Sequence, residues 1–405
     1  MTNNEQDNLR QSIEALQDFW SNHEDYDIRE KAREYIELYQ SNGNSDHFSW
    51  VHPEDAPYIK ENGCNAVRWG IPNQIIGDIE KAKFVIGLLN PGTQIETEAS
   101  NQCGNITEYV TAEQAEENNT GVDNVSFESK EYSEDPNFYL DHVISNENIM
   151  SQELKKLYKI FKQDSSVFFT INKKGKTIYN EEMIEKVAYY LFAYYSKAFM
   201  NFQYNDKHKV VKSINGGIGD CMDYYYDLFE KMERAKAIVK EKNLNYDVEQ
   251  AFNQAVERMS ICNVEIFPYR SNGRKDIKIE DKNSIKDLSS SRYISELVID
   301  KLMYDKTSVA IFRNFSAWWE GLLESTLQNR NMELDGCLKQ SIYYLINPRK
   351  GTLSKRNVVP YDSSPKTCQE GESQRAADTI VEALLSELKI KSYVNELDKI
   401  IAENE

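Results

Sequence analysis

The sequence is most informative first in what it lacks. No stretch of its 405 residues approaches the roughly 20 uncharged apolar residues that a membrane span needs. The start, Met1-Thr2-Asn3-Asn4-Glu5, has neither a basic segment nor an apolar signal core, so a cytoplasmic location is expected and no membrane partner. Cysteine is scarce. Cys64, Cys103, Cys221, Cys262, Cys337 and Cys368 lie far apart without a C-x-x-C pair, which argues against a zinc ribbon, an iron–sulfur cluster or a disulfide framework and for reduced, mostly buried thiols. Positive charge is also short. A net charge of −18 argues against a protein that coats nucleic acid by global attraction, so any such contact must be local. There is no internal repeat and no low-complexity tract, and no metal or cofactor is expected.

What is present is the balance of a soluble globular chain, 40% hydrophobic and 28% charged, long enough for one large or two ordinary domains. Four apolar runs stand out, each entering a rigid or polar loop. They are Phe84-Val85-Ile86-Gly87-Leu88-Leu89-Asn90-Pro91-Gly92, Cys262-Asn263-Val264-Glu265-Ile266-Phe267-Pro268-Tyr269-Arg270, Val309-Ala310-Ile311-Phe312-Arg313 and Tyr343-Tyr344-Leu345-Ile346-Asn347-Pro348-Arg349-Lys350-Gly351. An apolar run with no polar alternation reads as a strand buried on both faces, and in open α/β sheets the carboxyl edge carries the chemistry. Helical patterns follow the second and third runs, near 292–304 and over 315–327, and two more cover about 373–403. Strands alternating with helices predict a parallel sheet with both faces covered.

The remainder divides around that core. Residues 5–42 read as two amphipathic helices, with Ile13, Leu16, Phe19 and Trp20 on one face and Tyr35, Ile36 and Tyr39 on another. The acid-rich stretch from Glu96 to Glu134 contains no core strand and a mobile loop at Ala115–Asn119. A hairpin is predicted from Val167–Ile171 to Thr177–Tyr179, turning at Lys173-Lys174-Gly175-Lys176, and helices fill about 181–203 and 221–258. Tyrosines in those helices are better read as core than as stacking platforms. The expected domains are a helical extension at 1–70 and an α/β domain at 71–400, interrupted by an insertion at 93–255 that offers a surface for a protein partner.

Gly77-Asp78-Ile79-Glu80-Lys81-Ala82-Lys83 and the strand into Leu89-Asn90-Pro91-Gly92 resemble the first motif of the uracil-DNA glycosylase superfamily, in the form found in its mismatch-specific uracil and thymine glycosylases. Asn347-Pro348-Arg349-Lys350-Gly351-Thr352-Leu353-Ser354 resembles the second motif, a loop that enters the minor groove. Cys262-Asn263-Val264 is similar to the strand whose asparagine reads the base, Val309 to Trp318 to the strand and helix before the second motif, and Pro136-Asn137-Phe138-Tyr139-Leu140-Asp141 to the base-stacking segment. The likeness covers roughly residues 72–92, 134–145 and 258–400. It implies a three-layer α/β/α fold on a central, mostly parallel four-stranded sheet, DNA as partner and no cofactor.

The resemblance makes Asn90 and Asn347 the catalytic candidates. Gly87, Leu89, Pro91, Gly92, Phe138, Tyr139, Asn263 and Tyr269 would contact the base, with Tyr269 and Arg270 at the pocket mouth. Leu353 would be the wedge replacing an extruded base, beside Ser354, while Arg270, Arg349, Lys350, Lys355 and Arg356 would hold DNA; Gly336 to Tyr361 carries five basic residues and no acid. Hydrolysis of an N-glycosidic bond passes through an oxocarbenium-like sugar, so a site must hold water and stabilise the departing base. A carboxamide at Asn90 can orient that water but not deprotonate it, which implies modest turnover. Faster branches carry aspartate there and histidine in the second motif. None of His23, His47, His52, His142 and His208 lies in a strand-end loop, and His142 is expected to be a satisfied structural histidine.

No lysine occupies the position of a Schiff-base nucleophile, so the expected activity is monofunctional excision of uracil or another modified pyrimidine, including a hypermodified phage base in a defence or repair role. The alternative is a glycosylase-like protein without catalysis that binds nucleic acid or a protein partner. A Rossmann oxidoreductase is excluded because the first strand lacks a Gly-x-Gly-x-x-Gly turn. Asn215-Gly216-Gly217-Ile218-Gly219 lacks the strand and the Lys-Ser/Thr of a phosphate loop and is expected to be a turn before a helix.

Overall fold

The computed structural model describes residues 3–60, 63–122, 125–127, 130–200, 202–204, 210–213, 217–272, 282–334, 336–347, 352–361 and 372–404. Pro348, Arg349, Lys350 and Gly351 of the second motif, and Asn215 and Gly216, lie outside the described residues. The strands are β1 (Ile75–Ile76), β2 (Phe84–Leu88), β3 (Ile144–Ser145), β4 (Phe169–Ile171), β5 (Thr177–Tyr179), β6 (Phe202–Tyr204), β7 (Val210–Ser213), β8 (Ile261–Glu265), β9 (Val309–Phe312), β10 (Ile342–Leu345) and β11 (Val358–Pro360). The protein is mixed α/β, with a mostly parallel sheet and many helices. Among the described residues no helix is long and apolar enough to cross a membrane.

The chain divides into two units. The first comprises Met1–Asn119, Ser126–Asn146 and Ile261–Ile342, and the second Thr120–Val125, Glu147–Ser260 and Tyr343–Glu405. This division differs from the one read in the sequence. The amino-terminal helices belong to the first unit because their apolar faces need a partner. Leu16, Phe19 and Trp20 are buried, Trp20 Nε1 donates to Gln74 Oε1 at 2.9 Å, and Ser12 Oγ donates to Asp300 Oδ2. The first part of the expected insertion, to Asn119 and again from Ser126 to Asn146, also belongs there.

In the first unit, neighbouring strands run β9–β2–β8–β1–β3. β2 is parallel to both β8 and β9, β1 is antiparallel to β8, and β3 is parallel to β1. All five residues of β2 and of β8 are buried, which is why both read as unbroken apolar runs. β2 has the next two core strands on opposite sides, so the order reverses there, where α/β sheets place a ligand. The acid-rich segment contains the helices Thr97–Gln102 and Ile106–Asn118 where a mobile loop was expected at 115–119. Asn105 caps the second helix by accepting from the Glu108 N–H, and Ile106, Tyr109, Val110 and Glu113 form its buried face. A glutamate on that face hid the helical period.

In the second unit the predicted hairpin is present as antiparallel β4 and β5, and antiparallel β6 and β7 form another pair. The long helices are Ile218–Lys242, Val248–Glu257, Glu372–Leu388 and Lys391–Asn404. Gly217, with φ 78°, caps the start of the first of them, while the residues before it in the glycine-rich segment lie outside the described residues. The helix expected over 181–203 instead breaks after Val187 into a π turn, Leu191–Tyr195, and a short 3₁₀ turn. The buried Glu153 carboxylate accepts the Tyr190 and Leu191 N–H groups, each at 2.7 Å, and replaces the helical carbonyls they would otherwise meet. Burial raises Glu153 to about 8. Strand β11, absent from the sequence reading, pairs with β10. The described thiols are free, with Cys64, Cys221 and Cys262 buried.

Candidate functional site

The carboxyl end of β2 is held by its neighbours on both sides. The Arg313 N–H donates to Gly87 O at 2.8 Å, the Phe267 N–H to Leu89 O at 2.9 Å, and Trp319 Nε1 to Leu88 O at 3.1 Å. The next residue, Asn90, is half-buried, and its Nδ2 donates to Ser271 O. A carbonyl partner can face only the NH₂ end of the carboxamide, so Oδ1 is turned elsewhere as an acceptor. Leu89, Pro91 and Gly92 are likewise half-buried. Gly92 has φ 76°, and a Cβ there would meet nothing within 4 Å, so the glycine is required by backbone conformation and the loop beside Asn90 is open.

Gly87 is different. A Cβ there would collide with the Phe312 ring and lie 3.0 Å from Trp319, so this buried mid-strand glycine makes room for core rings and does not face a base. Asn263 is also mid-strand, 1% exposed and in register with Ile86 and Ile76.

The loop after β8 was expected to line a pocket mouth, and its two candidates are instead internal. Tyr269 is fully buried; its hydroxyl donates to Asp55 Oδ2 at 2.9 Å and accepts the His52 N–H at 3.0 Å. Arg270 places Nη2 3.1 Å from both oxygens of buried Glu131 and donates Nε–H to Ile71 O at 3.2 Å. Burying a guanidinium requires such pairing, which leaves Arg270 committed to the interior and not to phosphate. Tyr139 is corrected in the same way. It stacks on Trp50 at 5.1 Å, meets Tyr35 edge-on at 5.9 Å and donates to Ser133 O at 3.0 Å. Phe138 is half-buried beside His142, at 5.6 Å. His142 is not the satisfied histidine expected: Nε2 is buried without a hydrogen-bond partner among the described residues, and burial with Arg270 nearby lowers its pKa to about 3, keeping the ring neutral.

The second motif lies in the second unit. Asn347 is exposed, and its backbone rather than its side chain is fixed: the N–H donates to Asn357 Oδ1 at 2.8 Å, while Asn357 Nδ2 donates to Thr352 O at 2.8 Å. Leu353, the expected wedge, is 1% exposed, and its N–H donates to Tyr194 O at 2.7 Å. Ser354 is buried, its carbonyl accepting the Asn357 and Val358 N–H groups. Lys355 pairs with Glu382 at 2.5 Å, whereas Arg356 is exposed. The described part of the loop, from Thr352, leads into β11, with Ser354 O accepting the N–H of its first residue, Val358.

The sequence reading missed two groups in the first unit. Glu265, the last residue of β8 and in register with Leu88, is fully buried, and among the described residues neither carboxyl oxygen has a hydrogen-bond partner. Burial raises its pKa well above the carboxylate range, against the opposing field of Arg313, so the group is a neutral acid. An acid two residues beyond Asn263 on one strand face was the available signal. The second group is Glu113, whose Oε1 accepts from Tyr109 at 2.5 Å; burial first, then the Glu131 charge, raises it to about 8. Among the described residues no group of three or more His, Cys, Asp or Glu could hold a metal ion. No protein-family model, curated protein or solved structure matches the chain.

Proposed function

We propose that this chain is a monofunctional DNA glycosylase on a uracil-DNA glycosylase-like core, hydrolysing the N-glycosidic bond of uracil or a modified pyrimidine turned out of the helix. The observation that carries this reading is the orientation of Asn90 at the open carboxyl edge of the central parallel strand, with Nδ2 on the Ser271 carbonyl and Oδ1 available to a water. Such a water adds to the sugar C1′ as the C1′–N bond breaks, and its proton passes to solvent or the departing base once the cation has formed. Asn90 fixes the direction of attack and takes no proton.

A second reading has its own support. The base wall and wedge inferred from the resemblance, Tyr139 and Leu353, are buried, which favours a protein of glycosylase-like architecture that binds nucleic acid or a protein partner without excision. Duplexes containing uracil, mismatched thymine, or hydroxymethylated or glycosylated cytosine, incubated with the protein and then treated with hot alkali, separate the two. Cleavage at one of these bases is expected. Binding without an abasic site on any duplex would sink the enzyme reading.

A further inference from the structure

The hairpin of β4 and β5 concentrates positive charge in a chain that is otherwise acidic. From Ser165 to Asn180 there is no Asp or Glu, and Lys173, Lys174 and Lys176 occupy the turn, giving +3 in a protein of −18. All three lysines are exposed. Several other lysines of this unit are neutralised: Lys155 by Glu257 at 2.6 Å, Lys162 by Glu249 at 3.0 Å, Lys231 by Asp398 at 2.7 Å and Lys355 by Glu382 at 2.5 Å. Among the described residues the turn lysines make no such pair; the nearest acids in sequence, Asp164, Glu181 and Glu182, flank the base of the hairpin and not its turn.

The turn is built to present them. Asn172 Oδ1 accepts the N–H groups of Lys174 and Lys176 at 2.9 and 3.0 Å, its carbonyl accepts the Gly175 N–H at 2.9 Å, and its own N–H donates to Lys176 O at 3.0 Å. Gly175, at φ 74°, completes the reversal. At the base of the ribbon, Phe169 packs against Tyr226 at 5.6 Å and the Tyr179 hydroxyl bonds to Asp223, both partners lying on the helix Ile218–Lys242. The tip is therefore stiff and the base anchored. Between them Ile171 and Ile178 are 68% and 50% exposed, and because they are not of matching parity across the register they project from opposite faces of the ribbon.

We propose that this hairpin is a duplex-nucleic-acid-binding ribbon, in which Lys173, Lys174 and Lys176 meet backbone phosphates and Ile171 and Ile178 touch the groove on either side. A B-form major groove, about 12 Å wide, admits a two-stranded ribbon. Apolar groups on both faces suit insertion between two groove walls. The order of residues disfavours a lipid surface: a membrane anchor leads with its apolar groups, whereas this tip leads with three ammonium groups and keeps the isoleucines behind. This inference stands on the hairpin alone and does not require excision.

The test is binding of the full chain to an unmodified duplex, followed by fluorescence anisotropy across a salt series, which leaves any glycosylase activity without a substrate. Replacing Lys173, Lys174 and Lys176 together by glutamine should weaken binding about a hundredfold near physiological salt and flatten the slope of log K against log salt by about 2.7, or about 0.9 for each phosphate that is no longer neutralised. Ile171→Ser with Ile178→Ser should weaken binding with the slope unchanged. Thermal melting should not move for the lysine variant, because those side chains pair with no other described residue of the fold. Unchanged affinity and slope overturn the proposal. So does tighter binding to a single strand, or capture by phosphatidylserine vesicles with no affinity for duplex. A chain that excises bases while ignoring the hairpin changes fails this inference alone, and one that binds through the hairpin without excising fails only the glycosylase reading.

Discussion

At Asn90 the fold holds a side chain and leaves the loop around it open; at Asn347 it holds the backbone and leaves the side chain in solvent. Both are Asn-Pro pairs that follow an apolar strand, and in the sequence they look like two versions of one device. The difference lies in what supplies their partners. Asn90 meets a carbonyl from the loop that follows the neighbouring parallel strand, so the amide is oriented by a distant part of the chain. Asn347 meets Asn357, ten residues on, within the connection between β10 and its antiparallel partner β11. A long-range partner can orient a group toward an open edge, whereas a local one closes a turn.

The largest effect should break this symmetry directly. Asn90→Ala is expected to lower the single-turnover excision rate about a hundredfold, the usual cost of losing a group that positions a reactant, while Asn347→Ala leaves that rate near wild type. Equal losses would erase the distinction, and a larger loss at Asn347 would invert it.

The glycines sharpen the same contrast between held and open positions. Gly87→Ala should cost about 2 kcal/mol in denaturant unfolding, because Phe312 and Trp319 must shift inside a packed sheet. Gly92→Ala should cost about 1 kcal/mol, from left-handed backbone strain alone, since nothing lies near the added methyl group. A greater loss at Gly92 would show that its loop is packed and not open.

The remaining effect is read against pH and not at a single condition, and it concerns the buried acid behind the Arg270 network. Glu113 has a folded pKa of about 8 against an ordinary 4.5, so the native state holds its proton more tightly than the unfolded chain does. That contribution to stability is complete below pH 4.5 and is lost as pH rises through about 8, at up to about 1.4 kcal/mol per pH unit. Tyr109, Glu131 and Arg270 are the groups that face it. Glu113→Gln should flatten unfolding free energy against pH between those limits, and an unchanged slope would show that Glu113 ionises normally.

Much of the framework was legible in residue order. The runs at Phe84, Cys262, Val309 and Tyr343 are strands, and the lysine-tipped hairpin forms where its turn residues placed it. Strands β1, β3 and β11 were not legible, because two or three residues carry too little periodicity to stand apart from a loop. The helix at Ile106–Asn118 was masked by Glu113, which counts as polar in a pattern and is buried in the fold. For the site, the sequence indicated Asn90 at a strand end but placed Tyr139, Tyr269, Arg270 and Leu353 at a surface they do not reach.

By itself, then, the sequence determined where apolar strands end, where glycine must permit a turn and where charge is concentrated, since these depend on residue type and spacing along the chain. The tertiary structure decided which polar groups are spent on one another. Arg270 faces Glu131, Lys355 faces Glu382 and Tyr269 faces Asp55, while Glu265 is buried with its carboxyl oxygens unbonded among the described residues and the hairpin lysines remain in solvent. A charge reads the same in a sequence whether its partner is water or a carboxylate 139 residues away, as for Arg270 and Glu131, and only folding brings that partner within 3.1 Å.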